Sequence, residues 1–180
     1  MTSEEFLALA EPELGWPVSL IAGEVVVNDP TVLHGEVQGE LYLALTAWAR
    51  AGTGRGKPAL PLDVKLDERN VFKPDIAWYA EGRGPARLDP RPYPMPDIAA
   101  EVRSPSTWRY DVGAKKSGYE RHGLGELWLV DTAAEAVLVF RRSAPRAPTF
   151  DTSLELARDE ELRSPLLPGF ALSLAVLFPR

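Results

Sequence analysis

The sequence predicts one α/β (α+β) domain spanning residues 1–180, and three observations carry that prediction. The chain is 180 residues long, a length that suits one domain and buries roughly 70% of the surface exposed when unfolded. Between Thr31 and Ala51 apolar residues recur at spacings of three and four, the period of an amphipathic helix. Elsewhere the apolar residues fall in short runs of strand length, separated by Gly, Pro, Asp and Asn.

The first element is a short helix over Thr2–Leu9, with a hydroxyl ahead of Glu4 and Glu5 in its first turn and Pro12 to limit it. Val18–Ile21 and Glu24–Val27 read as a hairpin turning at Gly23. The long helix follows, with Leu33, Val37, Leu41, Ala44, Leu45 and Trp48 on its apolar stripe, His34, Glu36 and Glu40 on its flanks, and Gly52 as its stop. Leu60, Leu62, Val64 and Leu66 alternate with Pro61, Asp63 and Lys65 as in a half-buried strand, and Asp67–Asn70 is a turn. Asp75–Ala80 is the next strand. Glu81–Pro96, rich in Gly, Pro and Arg, is a long surface loop. Ile98–Arg103 returns as a strand, and a helix runs from Trp108–Asp111 to His122, where Gly123 ends it. Glu126–Val130 and Ala136–Phe140 are two further strands, Ser153–Leu156 a weaker one, and Leu167–Phe178 an extended piece closed by a helical turn.

Composition removes several chemistries. The chain has no cysteine and only two histidines, His34 and His122. Disulfides, thiolate zinc sites and cysteine nucleophiles are therefore excluded, and a bound metal would be held by oxygen, as Mg²⁺, Mn²⁺ or Ca²⁺ is. The net charge of −6 argues against a broad basic face for nucleic acid while leaving room for a local cleft. No apolar run reaches the ~18 residues of a membrane span, and the N-terminus lacks the pattern of a signal peptide, so a cytoplasmic protein without membrane contact is expected.

Chemistry concentrates between Lys73 and Lys116. Along a strand Glu101 shares a face with Arg103, and Asp75 lies with Ala77 and Tyr79. If the two strands are neighbours, Asp75 and Glu101 converge, and two carboxylates ~4 Å apart repel by roughly 4 kcal/mol at an effective dielectric near 20. A divalent cation or a lysine would offset that. Asp111, Lys115 and Tyr119 recur on one stripe of the helix. Lys116 is rotated from Lys115 by about 100°, so one lysine of the pair can face the same site. Acid, acid, lysine is the order of a metal-dependent phosphodiesterase site.

Taken together, Gly23-Glu24, Pro30…His34, Pro74-Asp75, Glu101-Val102 with Ser104-Pro105-Ser106-Thr107, Asp111…Lys115…Tyr119, Trp128-Leu129-Val130-Asp131 and Leu167-Pro168-Gly169-Phe170 resemble the restriction-endonuclease-like PD-(D/E)xK superfamily. Within it, they resemble most a bacterial family of endonuclease-like proteins. The resemblance covers most of the chain. It implies a restriction-endonuclease-like core, a central mixed sheet flanked by helices, with the N-terminal helix and hairpin attached. It also implies a nuclease acting on nucleic acid, DNA foremost, with Mg²⁺ or Mn²⁺ held by Asp75 and Glu101 and with Lys115 positioning the attacking water. Glu24 and His34 match family positions near the site. Arg103 stands where the superfamily has lysine. An arginine stays protonated and cannot be a base, although it can stabilise a phosphorane-like transition state.

Simpler readings stand beside these. Asp111 suits the first turn of a helix, Tyr119 and the tryptophans suit packing, and Arg103 could pair with Glu101 in an inactive site. The fold could then serve as a binding module for nucleic acid or protein. The apolar stretch Phe170–Phe178 offers an interface for a homodimer.

Overall fold

The computed structural model describes residues 1–9 and 17–178. Helix α1 is Ser3–Ala8, capped by Thr2, whose hydroxyl accepts from Glu5 N–H while the Glu5 carboxylate accepts from Thr2 N–H. Pro12, expected to limit this helix, lies outside the described residues. Strands β1 (Val18–Ile21) and β2 (Glu24–Val27) form the expected hairpin. Its turn has positive φ at both Ala22 (52°) and Gly23 (84°), the geometry that matches strand twist. At Gly23 a Cβ would also come within 2.8 Å of the Arg69 guanidinium.

Helix α2 is Val32–Arg50, with Thr31 as its N-cap. Its buried stripe is His34, Val37, Leu41 and Leu45, and Leu33 is 43% exposed. The expected stripe is thus displaced by one residue at its start, where a polar histidine takes the inward position. Of the strand expected over Leu60–Leu66 only the second half forms, as β4 (Val64–Asp67), and an unexpected short strand, β3 (Lys57–Ala59), precedes it. Pro61 sits between them and has no N–H for a ladder. β5 (Asn70–Phe72) follows the expected turn and is too short for periodicity to reveal. β6 is Ile76–Tyr79 and β7 is Ile98–Val102, on either side of the long loop.

The next helical region has three parts: α3 (Trp108–Tyr110), a π-helical turn (Asp111–Lys115) and α4 (Lys116–Arg121). β8 (Glu126–Asp131), β9 (Ala136–Arg141) and β10 (Thr152–Ala157) complete the larger sheet. β11 (Glu161–Leu162), β12 (Leu172–Ser173) and α5 (Leu174–Leu177) close the described chain.

The larger sheet has six strands in the order β10-β9-β8-β7-β6-β3, and β7–β8 is its parallel pair. A parallel pair needs a crossover, and the helical region 108–121 supplies it. A four-stranded antiparallel sheet, β2-β1-β5-β4, stands beside it. This is the mixed sheet flanked by helices that the sequence led us to expect.

Alternation along the strands sorts two cores. Ile98, Ala100, Val102, Trp128 and Val130 face α2 and the C-terminal segment, while Ala99, Leu127 and Leu129 face Tyr119, Phe72 and Ile21. Phe170, Leu172, Leu174, Leu177 and Phe178 are all buried in the first core. The stretch expected to offer a dimer surface is therefore taken up mostly by the chain's own packing, with Val176 left 48% exposed.

Candidate active site

Asp75 directly precedes β6, and the antiparallel register Ile76↔Ala100 sets it across from Glu101 on β7. Both side chains leave the sheet on the face covered by the crossover. Burial there is nearly complete: Asp75 is 5% exposed, Glu101 2%, Asp111 1% and Lys115 5%. A buried carboxylate needs partners, and each of these has them.

Asp75 Oδ2 accepts from Val102 N–H at 2.7 Å, and its Oδ1 lies 3.2 Å from His34 Nε2. One turn further along α2, the Gln38 side-chain amide donates to the Asp75 carbonyl at 2.8 Å. α2 thus holds the aspartate by side chain and main chain together. Glu101 is held at both oxygens, Oε2 by Lys115 Nζ at 2.9 Å and Oε1 by the Tyr119 hydroxyl at 2.8 Å. Lys115 Nζ lies equally close, 2.9 Å, to Asp111 Oδ1.

The π-turn sets this convergence. Lys116 N–H bonds Asp111 O five residues back, so one extra residue is accommodated in the helix. Asp111, Lys115 and Tyr119 then all face inward, while Lys116 turns out over the Phe140 ring at 4.5 Å. Of the two lysines, Lys115 points into the cluster. Close approach of α4 to β5 helps: a Cβ at Gly118 would sit 2.6 Å from Phe72 Cε2, and Phe72 packs edge-on against Tyr119 at 5.1 Å.

A chain of hydroxyls links the cluster to the hairpin exit. Ser104 Oγ donates to Asn28 Oδ1 at 2.7 Å and lies 2.7 Å from Thr107 Oγ1, which donates to Asp111 Oδ2 at 3.2 Å. Asp29 N–H donates to Ser106 Oγ at 3.1 Å. The motif Ser104-Pro105-Ser106-Thr107 is the bracket between the hairpin and the crossover. Ser19, Val26, Asn28, His34, Gln38 and Lys73 line the cleft above Asp75 and Lys115.

The Arg103 side chain lies outside the cluster. Its Nη1 binds both Asp131 oxygens, at 2.8 and 3.0 Å, and its guanidinium lies 5.4 Å from the Trp108 ring centroid. The pairing weighed for it with Glu101 is replaced by one with Asp131. Glu24 is exposed on β2 and is not among the cleft-lining side chains. His34 lies inside the site rather than on a flank. Tyr119, read as packing, bonds Glu101, and Asp111, read as a helix-start residue, is an ion-pair partner. Gln38 was absent from the sequence reading, and Thr107 entered it only within the motif Ser104-Pro105-Ser106-Thr107, without a role of its own. Gln38 stands one turn from His34, and that spacing was the available signal.

The electrostatics follow from three carboxylates around one ammonium. Burial, opposed by Lys115 and reinforced by Asp111 and Asp75, pushes the Glu101 carboxyl up to about 8. Burial also raises Asp111, against the pull of Lys115. Burial alone would lower Lys115, but Glu101, Asp111 and Asp75 outweigh it and hold the ammonium well above its ordinary range. His34 is raised in the same way, since Asp75 outweighs its burial. With every carboxylate ionised the cluster would carry surplus negative charge; the raised Glu101 carboxyl relieves it by holding a proton, and a bound cation would relieve it in the proton's place.

Among the described residues no three His, Asp or Glu side chains are placed to hold a metal by themselves. Asp75 and Glu101 are a different kind of donor set: two hard carboxylates, each oxygen with one protein partner and a remaining lone pair. That set fits Mg²⁺ or Mn²⁺, since Mg²⁺ binds through one or two carboxylates and completes its shell with water and phosphate oxygens.

A family model, Uma2, described as "Putative restriction endonuclease", matches residues 3–175. A crystal structure described as "a putative nuclease belonging to DUF820", from Anabaena variabilis, superposes with a TM-score of 0.80 at 22% identity, covering 99% of this chain and 97% of that one. The likeness of fold therefore extends over both chains nearly end to end. No curated protein matches the chain.

Proposed function

Because the chain belongs to the Uma2 family, matched over residues 3–175, we propose that it is a divalent-metal-dependent endonuclease hydrolysing phosphodiester bonds of nucleic acid, DNA foremost. The observation that supports this best is the buried cluster in which Asp75 faces Glu101 and Lys115 reaches both Glu101 and Asp111. Structural ion pairs seldom leave carboxylates in excess, because uncompensated buried charge is costly. Asp75 and Lys115 line the cleft, which gives a cation a way in to the cluster.

In this reading Asp75 and Glu101 hold Mg²⁺ or Mn²⁺. Such an ion, when bound, lowers the pKa of a coordinated water and neutralises charge on the scissile phosphate. Lys115, kept protonated by its carboxylates, acts as a donor that orients the attacking water or the phosphate oxygen rather than as a base. His34 and Gln38 fix the aim of Asp75, and Tyr119 fixes that of Glu101. Arg103, tied to Asp131, stands beside the reaction centre rather than in it.

A second reading is a nuclease fold retained for binding nucleic acid or protein. The near-complete burial of Asp75 and Glu101 favours it, since a phosphodiester must reach them to be cut. Cleavage of supercoiled and single-stranded DNA with Mg²⁺ or Mn²⁺ decides between the two. We expect wild-type cleavage, and a loss of at least about 100-fold in Glu101→Gln, the scale of removing one charge-stabilising group. Mn²⁺ affinity should fall in parallel. Equal cleavage by both proteins would remove Glu101 from the reaction, and a folded but silent wild type would favour the binding module.

A further inference from the structure

Four edges bound the two main sheets: β2 and β4 in the smaller, β3 and β10 in the larger. An unpaired edge is a template for another strand, and proteins blunt such edges with proline, charge, bulges or cover. Three of the four are blunted. β3 is three residues long with Pro58 at its centre. β4 is irregular between Lys65 and Asp67 and is bridged at Val64 by Tyr93. β10 carries an exposed Glu155 in its middle.

Among the described residues β2 is the least blunted of the four. Its register with β1 is unbroken, it contains no proline, and its one charge, Glu24, stands at its first position. Val25 and Val27 share a face and are 39% and 46% exposed, and Val32 and Leu33 open the next helix exposed as well. Four of the twelve exposed large hydrophobics among the described residues thus fall between positions 25 and 33. Val25 and Val27, side by side on an unpaired strand, are the apolar side chains that a further strand would cover.

We propose that β2 is the seam of a two-fold homodimer, pairing antiparallel with β2 of a second copy and joining two four-stranded sheets into one. The charges favour a second copy as the occupant. Antiparallel pairing runs the tip of each hairpin beside the exit of the other. The tip carries exposed Arg69, fixed there by its bond to Ala22 O at 2.7 Å, and the exit carries exposed Asp29. The symmetric pair therefore sets Arg69 of each copy toward Asp29 of the other, and places Glu24 opposite uncharged residues. A two-fold seam is self-complementary and closes at two copies. Because Val26 and Asn28 line the cleft, the seam runs along the rim of the candidate active site. A four-residue strand makes a short seam, so association should depend visibly on concentration.

Sedimentation velocity across a concentration series tests this without reference to nuclease activity. Wild type should pass from monomer to dimer. Val25→Lys, at an exposed position, should stay monomeric, while Leu88→Lys, at a loop residue that is 92% exposed, should follow wild type. Val27→Lys serves as the second seam variant, with circular dichroism confirming that each is folded. A wild type that remains monomeric throughout, or seam variants that dimerise as it does, would overturn the proposal.

Discussion

Lys115 and Lys116 are adjacent in sequence and opposite in circumstance. Lys115 sits among three carboxylates in a buried cluster, while Lys116 lies half-exposed over Phe140. Removing one partner of a buried pair leaves uncompensated charge and costs about 3–5 kcal/mol. Lys115→Met should therefore destabilise the protein by that amount, whereas Lys116→Ala should stay within about 1 kcal/mol. Urea unfolding of the two variants checks the contrast, and equal effects would place the wrong lysine inside. Glu126 offers a test away from the site. It is buried, accepts from Trp128 Nε1 and Ser164 Oγ at 2.7 Å each, and burial raises its pKa above the ordinary 4.5. The folded form thus keeps a proton that the unfolded chain has released. Its stabilising contribution is complete below the unfolded value of 4.5 and is lost as pH rises through the raised folded value. Glu126→Gln, which can still accept from Trp128 and donate to Ser164, should flatten that part of the stability–pH curve. An unchanged curve would show that Glu126 is not its source.

At the level of elements, the crossover between β7 and β8 does two jobs. It covers the sheet with Tyr119, and through its π-turn it delivers Asp111 and Lys115. Thr107 braces it from the N-terminal side, linking Ser104 to Asp111. Thr107→Val leaves a buried carboxylate oxygen and a buried hydroxyl short of a partner, at a cost of about 1–3 kcal/mol. Thr107→Ser keeps the hydroxyl and gives up one methyl, about 0.8 kcal/mol. Thermal or urea midpoints ranking valine below serine below wild type would support the bracket, and valine equal to wild type would dismiss it. The crossover also marks where sequence reading stops. The spacing of Asp111, Lys115 and Tyr119 was legible because helical stripes repeat at four residues, but the π-turn that makes all three face inward has no sequence period of its own.

Across the whole molecule, the long helix was legible by its period, and the hairpin and the strands β6 to β10 as short apolar runs set off by turn residues. β3, β4 and β5 were blurred, being three or four residues long and punctuated by Pro58 and Pro61. The opposition of Asp75 and Glu101 depends on which strands pair, a non-local fact that the sequence could pose only as a condition. The fates of Arg103 and of Phe170–Phe178 were also settled at long range, by Asp131 and by the α2 core. Among the described residues no helix is long and apolar enough to cross a membrane.

The long loop between β6 and β7 has one more consequence. Asp75 lies before it, and Glu101, Asp111, Lys115 and Tyr119 lie after it. A backbone break at Leu88 would therefore partition the site, giving one fragment the aspartate with its His34 and Gln38 supports and the other the glutamate with its lysine. Neither fragment could assemble the acid pair alone. The β6–β7 ladder, whose strands would then belong to different fragments, would be the joint through which two inert halves regain a common centre.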